Sequence, residues 1–247
     1  MTTSPAPSRD TTLRLQLPGG HERTFRWGQP WEYMTAAYWV EVTKELRSSL
    51  TWGERAHRMG ETMREEVVAC LLGGHGITFE MNVAAFSALR DAGHTSGDRV
   101  SEEKIIALLR APLLVGGRTA RYRFPNQKGA RVAEALHRLK KESAPSDALE
   151  ARAWLMTFKG IGPKTASWIV RNQYDANDVA IIDIHVQRAG VHAGVFDPSW
   201  EPTRNYPVME STFLQWADFG GVPASDLDAV IWTEQAAAAR RRGVRAS

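Results

Sequence analysis

One cysteine, Cys70, stands in 247 residues. A single thiol excludes an intramolecular disulfide, a cysteine-rich zinc site and a four-cysteine iron–sulfur cluster. No apolar run approaches the roughly 18–20 residues that cross a bilayer, so no membrane partner is expected. The opening MTTSPAPSRDTT lacks the apolar core of a secretory signal, and residues 1–12 are expected to form a disordered tail. The histidines, His137 and His192 among them, lack ligand spacing, so no transition-metal site is expected.

Acidic residues are missing where basic ones gather. Between Ala111 and Ala133 stand Arg118, Arg121, Arg123, Lys128 and Arg131 with no Asp or Glu. The stretch 151–172 holds Arg152, Lys159, Lys164 and Arg171, again without acid. The net charge is only +3, yet the pI is about 9.1, and Arg240, Arg241, Arg242 and Arg245 add a late basic run. Two acid-free windows and nine tryptophans suit a polyanion on which side chains stack or wedge. On charge alone a solvated basic face fits as well. The remaining composition, 43% apolar and 24% charged, excludes wholesale disorder. The length makes one large domain or two small lobes.

Strand signals are few. LRLQLPGGHERTFRW places two short runs around Pro18-Gly19-Gly20 and predicts a small β-hairpin. After Pro30 the pattern is helical almost throughout. Tyr38, Val42 and Leu46 keep helical spacing, as do Met59, Met63, Val67 and Leu71 before Gly73-Gly74-His75-Gly76. Further helices are expected through NVAAFSALRDAG, from an N-cap at Ser101, over about 128–142, 147–158, 164–173, 184–194 and 207–217, and from Ser225 onward. Trp27, Trp31, Trp39 and Trp52 are expected in the core or at a lobe interface.

The informative segment is LEARAWLMTFKGIGPKTASWIVRNQYDANDVAIIDIHVQRAG. It predicts a helix ending at Phe158, a tight turn through Gly160 and Gly162, and a second helix opened by Pro163, where a missing N–H costs nothing. Glycines permit positive φ and close approach of a phosphate, and the helix start aims unpaired N–H groups at one point. A plain turn between two packed helices has the same local pattern. Lys164 and Asp183 add chemistry. A helix N-terminus disfavours an ammonium, which favours the free amine, the nucleophilic form. Asp183 follows the apolar run VAII and can cap the next helix. Lysine and aspartate together suit displacement of a base at a sugar carbon; separately they read as a surface lysine and an ordinary cap.

LMTFKGIGPKTA followed by IIDIH resembles the signature of the helix-hairpin-helix DNA glycosylases, nearest the 8-oxoguanine branch. The resemblance implies a mostly α, two-lobed fold with a cleft between lobes and, here, the short N-terminal β-hairpin. The domain so implied spans residues 13–245, with the hairpin motif at about 151–190, while the matching residues themselves cover about 120–235 with gaps, most closely over 155–188. It implies that Lys164 attacks the anomeric carbon and forms a Schiff base. Asp183 then assists and stabilises positive charge on the sugar. Gly160, Gly162 and His185 contact DNA phosphate, with Arg121 and Lys128 of the basic window adding to the grip. The carbonyls of Met156, Phe158 and Ile161 can hold a monovalent cation, K or Na; no other cofactor is implied. More weakly, RFPNQKGARVAEAL is similar to the segment whose asparagine, here Asn126, fills the gap left by a flipped nucleotide. DLDAVIWTEQA is similar to the last pocket helix, with Asp228 reading a base edge and Trp232 stacking on the base.

There are departures. One cysteine cannot carry the cluster of the endonuclease III branch, and GVRAS stands where the archaeal 8-oxoguanine type places a terminal lysine. Gly73, Gly74 and Gly76 replace polar residues on what the resemblance makes a pocket wall. They enlarge the site for a bulky base, with His75 on a base edge, or simply end a helix. Asp228 can instead complete a capping box with Ser225. The implied function is a DNA N-glycosylase with AP-lyase activity. It acts as a cytoplasmic monomer, nucleoid-associated in a prokaryote, on duplex DNA bearing a modified base. The first choice of base is 8-oxoguanine; the alternatives are a bulky or hypermodified base, as in phage DNA, and a non-catalytic DNA-binding module.

Overall fold

The computed structural model describes residues 11–49, 58–95 and 101–244. Residues 1–10 of the expected tail, Trp52, residues 53–57 and Arg245 lie outside them. Thr12, read as tail, is the first residue of a strand. Contacts divide the chain into two compact units, one of residues 1–56 with 176–247 and one of residues 57–175.

The first unit holds β1 (Thr12–Gln16), β2 (Glu22–Arg26), α1 (Ala36–Ser49), α8 (Ile184–His192), α9 (Pro202–Gly220) and α10 (Ala224–Val244). The expected hairpin is present, antiparallel, with Leu13 opposite Phe25 and Leu15 opposite Arg23. Alternation buries Leu15 and Phe25 against Trp27, Trp39, Phe196, Phe213, Trp216 and Ile231, a core dominated by rings. Gln215 on α9 bonds both the N–H and the C=O of Gln16, each at 2.8 Å, and so acts as one extra rung for β1. Trp31 departs from expectation and is 70% exposed. In α9, Asn205 leaves helical geometry two residues before Pro207, which removes a hydrogen bond and crowds the preceding residue. Periodicity therefore became legible only from 207.

The second unit holds α2 (Met63–Leu72), α3 (Phe79–Asp91), α4 (Glu102–Arg110), β3 (Leu113–Val115), β4 (Arg118–Ala120), α5 (Pro125–Lys141), α6 (Ala148–Leu155) and α7 (Pro163–Tyr174). Its centre is α2, whose Val67, Val68, Ala69, Leu71 and Leu72 are almost wholly buried and which packs on α3, α5 and α7. Ser101 caps α4 as its sequence predicts, accepting from Lys104 N. Helix α2 starts only after Thr62, so Met59 does not belong to it. The β3–β4 hairpin was not anticipated. Its Gly116-Gly117 turn has both φ values positive, the usual requirement of a two-residue hairpin.

Candidate functional site: the hairpin lysine and the capping aspartate

Helix α6 is capped by Asp147, which accepts from Leu149 and Glu150 N. It ends in a turn in which Phe158 N donates to Leu155 O and Ile161 N to Phe158 O. Gly160 sits at φ +91°, where an L side chain is strained. A Cβ on it would also come within 2.7 Å of Arg131 Cδ, so the Arg131 side chain of α5 lies against the hairpin. Gly162 behaves differently. Its φ is −99°, open to any residue, and nothing stands within 4 Å of where its Cβ would be. Its contribution is a bare, exposed entrance to α7.

Gly162 is the N-cap of α7, with Pro163 next and no side-chain cap. The first-turn amides therefore face outward beside the positive helix end, a backbone anion site. Lys164 is exposed on that turn. Its charge is felt at Cys70, part of a buried polar cluster that the sequence did not announce. Glu66 on α2 is fully buried and accepts from Gly60 N at 2.8 Å and Asn172 Nδ2 at 2.6 Å. Burial raises its pKa, with the Asn172 and Gly60 bonds opposing. Cys70 points its thiol at Glu66 Oε1, 3.9 Å away. Burial first, then Glu66, pushes that thiol up, while the charge of Lys164 pulls the other way.

In the first unit Asp183 is the N-cap of α8. Its Oδ1 accepts from His185 N at 2.8 Å and Val186 N at 2.9 Å, bonds that leave Oδ2 aside. His185 meets the Trp232 ring edge to face, centroids 6.5 Å apart at 85°. The structure thus gathers Asp183, His185 and Trp232 around one helix start. Three side chains fix the approach to it: Glu210 and Tyr206, which the sequence reading did not single out, and Asp228, which it placed on a base edge. Ala180 N donates to Glu210, Ile181 N to Asp228 and Ile182 N to Tyr206. Asp228 is 3% exposed. It completes no capping box, since α10 begins at Ala224 and the Ser225 hydroxyl donates to Asn177 at 2.6 Å. The signal for Glu210 was an acid inside the apolar stripe Tyr206, Met209, Phe213, Trp216 of α9.

The other expected residues take these places. Lys128 Nζ donates to Leu71 O at 2.7 Å and Gly73 O at 2.5 Å, and Tyr122 OH donates to Leu72 O. Lys128 is therefore engaged at the carbonyl end of α2, where a cation is favoured. Burial and Arg131 lower its pKa. Asn126 is exposed at the start of α5 and accepts from Arg110 at 3.1 Å; Arg121 is exposed after β4. Gly74 has φ +110° and Gly76 has φ +78°, so backbone geometry accounts for these glycines without an enlarged pocket. His75 is exposed between them. Among the described residues no group of three or more His, Cys, Asp or Glu can hold a metal ion, and no helix is long and apolar enough to cross a membrane.

A hairpin lysine followed by a capping aspartate is the arrangement of a helix-hairpin-helix glycosylase. The family model for 8-oxoguanine DNA glycosylase matches residues 54–220. An 8-oxoguanine DNA glycosylase/AP lyase of Metallosphaera sedula is 31% identical over 172 residues, 68% of this chain and 78% of that protein. The fold is similar to the 8-oxoguanine DNA glycosylase of Thermotoga maritima (TM-score 0.60, 23% identity, 80% of this chain and 95% of that one). It is also similar to the Methanocaldococcus jannaschii 8-oxoguanine glycosylase/lyase solved with a 15mer DNA containing 8-oxoguanine (TM-score 0.56, 20% identity, 78% and 94%). The chain belongs to the 8-oxoguanine DNA glycosylase family.

Proposed function

We propose that this protein excises 8-oxoguanine from duplex DNA and then nicks the strand, with Lys164 as nucleophile and Asp183 as its electrostatic partner. The observation that carries the reading is Lys164 itself, exposed one residue inside an uncapped helix start, within a family match that spans both residues. The hairpin amides and Arg131 hold backbone phosphates, and extrusion of the base costs a few kcal/mol, offset by such contacts and by stacking on Trp232. The free amine of Lys164 attacks C1′ of the sugar. The C1′–N bond breaks, and the base leaves with the electron pair and takes up a proton. The carboxylate of Asp183 stabilises positive charge on the sugar. Cleavage of C1′–O4′, with O4′ taking up a proton, then opens the sugar to the Schiff base, which allows loss of a C2′ proton and departure of the 3′-phosphate, the nick.

The carbonyls of Met156, Phe158 and Ile161 offer only neutral oxygens, the donor set that suits K or Na. Phe158 O keeps a second lone pair beside its bond to Ile161 N. A cation there would steady the hairpin against phosphate. The reading places the enzyme in the cytoplasm as a monomer. Its test follows base release and strand scission separately on a duplex with one 8-oxoguanine, beside undamaged, uracil-containing and bulky-cytosine duplexes. Release of 8-oxoguanine ahead of the others is expected. Binding without release from any of them overturns the enzyme reading, and preferred release of a bulky base overturns the substrate.

A further inference from the structure

The chain from Val179 to Asp183 has no regular secondary structure and is nonetheless buried, with Val179, Ala180, Ile181 and Ile182 all at 5% exposure or less. Buried irregular backbone needs a partner for every N–H, since water is excluded. Here three consecutive amides find side chains instead of a neighbouring strand. Ala180 N donates to Glu210 Oε1 at 3.1 Å, Ile181 N to Asp228 Oδ2 at 3.2 Å, and Ile182 N to Tyr206 Oη at 3.3 Å. Tyr206 Oη in turn donates to Ala180 O at 2.6 Å. All three partners are buried, at 8%, 3% and 4% exposure, and come from two different helices, α9 and α10. The next residue is Asp183, whose backbone remains extended (φ −107°, ψ −174°) as its Oδ1 caps α8.

We propose that Asp228, with Glu210 and Tyr206, is a positioning residue that sets where the Asp183 carboxylate stands, rather than a reader of the base. A carboxylate is taken from water at considerable cost and is retained where it accepts from fixed donors. Bonds to three successive amides from two different helices fix where the segment runs. Misplacing a charged group by about 1 Å costs on the order of 10²-fold in rate without a change in what is bound. An Asp228 that read the base would instead have its oxygen turned to the ligand and would alter which base is chosen. The proposal rests on the glycosylase reading for its rate measurement, and a second measurement on the free protein stands apart from that reading.

The experiment compares Asp228→Ala, Asp228→Asn and Tyr206→Phe with wild type. Asparagine keeps an oxygen for Ile181 N–H; alanine does not. Single-turnover excision is expected to fall about 10²-fold in Asp228→Ala, to stay within about fivefold in Asp228→Asn, and to fall to an intermediate degree in Tyr206→Phe. Affinity for the modified duplex and the order of preferred bases should not change. Loss of rate in the asparagine variant equal to that in alanine, or a changed base preference, overturns the proposal. In the free protein, exchange of the His185 and Val186 amides should quicken in Asp228→Ala and not in Asp228→Asn. If Asp228→Ala does not fold, Tyr206→Phe decides by the same exchange measurement. Unchanged exchange overturns the proposal; faster exchange in a protein that excises no base retains the positioning role and removes the glycosylase reading.

Discussion

The hairpin that carries Lys164 and the segment that carries Asp183 are built in opposite ways. The hairpin is local and open. Its shape comes from Gly160 at positive φ, a bare Gly162 and Pro163 at the helix start, and it leaves amides turned outward. The Asp183 approach is non-local and closed, its amides taken up by Glu210, Asp228 and Tyr206 from distant parts of the sequence. The difference teaches where each function can tolerate change. A phosphate grip made of backbone survives most side-chain substitutions, whereas a carboxylate placed by three buried partners is sensitive to positions that never touch DNA.

The largest effect that sharpens this contrast is at Lys164. Lys164→Gln removes the amine and leaves the hairpin geometry, so base release should fall by about 10⁴-fold or more while duplex affinity stays within threefold in a binding titration. Next comes Asp183→Asn. Asparagine still caps α8, so the melting temperature should move little, while excision falls by about 10²–10³-fold as charge stabilisation is lost. A melting temperature that collapses with activity would make Asp183 structural and erase the contrast.

Smaller effects separate the basic residues that reading by charge had pooled. Arg131 lies against Gly160, and Lys128 is bonded to the carbonyl end of α2. Arg131→Ala should make the log–log dependence of duplex affinity on salt shallower by about 0.9. Lys128→Ala should leave the slope alone and lower thermal stability, through loss of bonds worth about 1–2 kcal/mol. Equal slopes for both variants would return them to one undifferentiated patch.

The smallest effect is a pH dependence from Glu66. Its folded pKa is raised above the ordinary 4.5 by burial. Such a group binds its proton more tightly in the folded chain, so its stability is fully present below the unfolded value and declines as pH rises through the folded one. The melting temperature of wild type minus that of Glu66→Gln should therefore drop as the pH rises above the ordinary 4.5. A flat difference would mean the carboxyl titrates alike in both states.

What was legible in the sequence follows the same division. Gly160, Gly162, Pro163, Lys164 and the Asp183 cap are written in adjacent residues, and so is the N-terminal hairpin with its Pro-Gly-Gly turn. The β3–β4 hairpin does not stand out in the sequence although Gly116-Gly117 is an equally local signal, because three-residue strands show too little alternation against flanking helices. Glu66 and the burial of Asp228 were illegible for a different reason, and Glu210 showed only as an acid inside an apolar stripe. An acid inside a helix is common on a solvated face, and only tertiary packing shows that these three are enclosed. Gly74 stands at φ +110°, which by itself calls for a glycine and which the sequence does not display.

In the proposed reaction an amine on the open hairpin attacks the sugar. Borohydride reduction during reaction with an 8-oxoguanine duplex, followed by digestion and mass mapping of the cross-linked peptide, tests it most directly. One covalent adduct is expected, on the peptide containing Lys164 and abolished in Lys164→Gln. An adduct on another amine, or base release with no adduct at all, would contradict it.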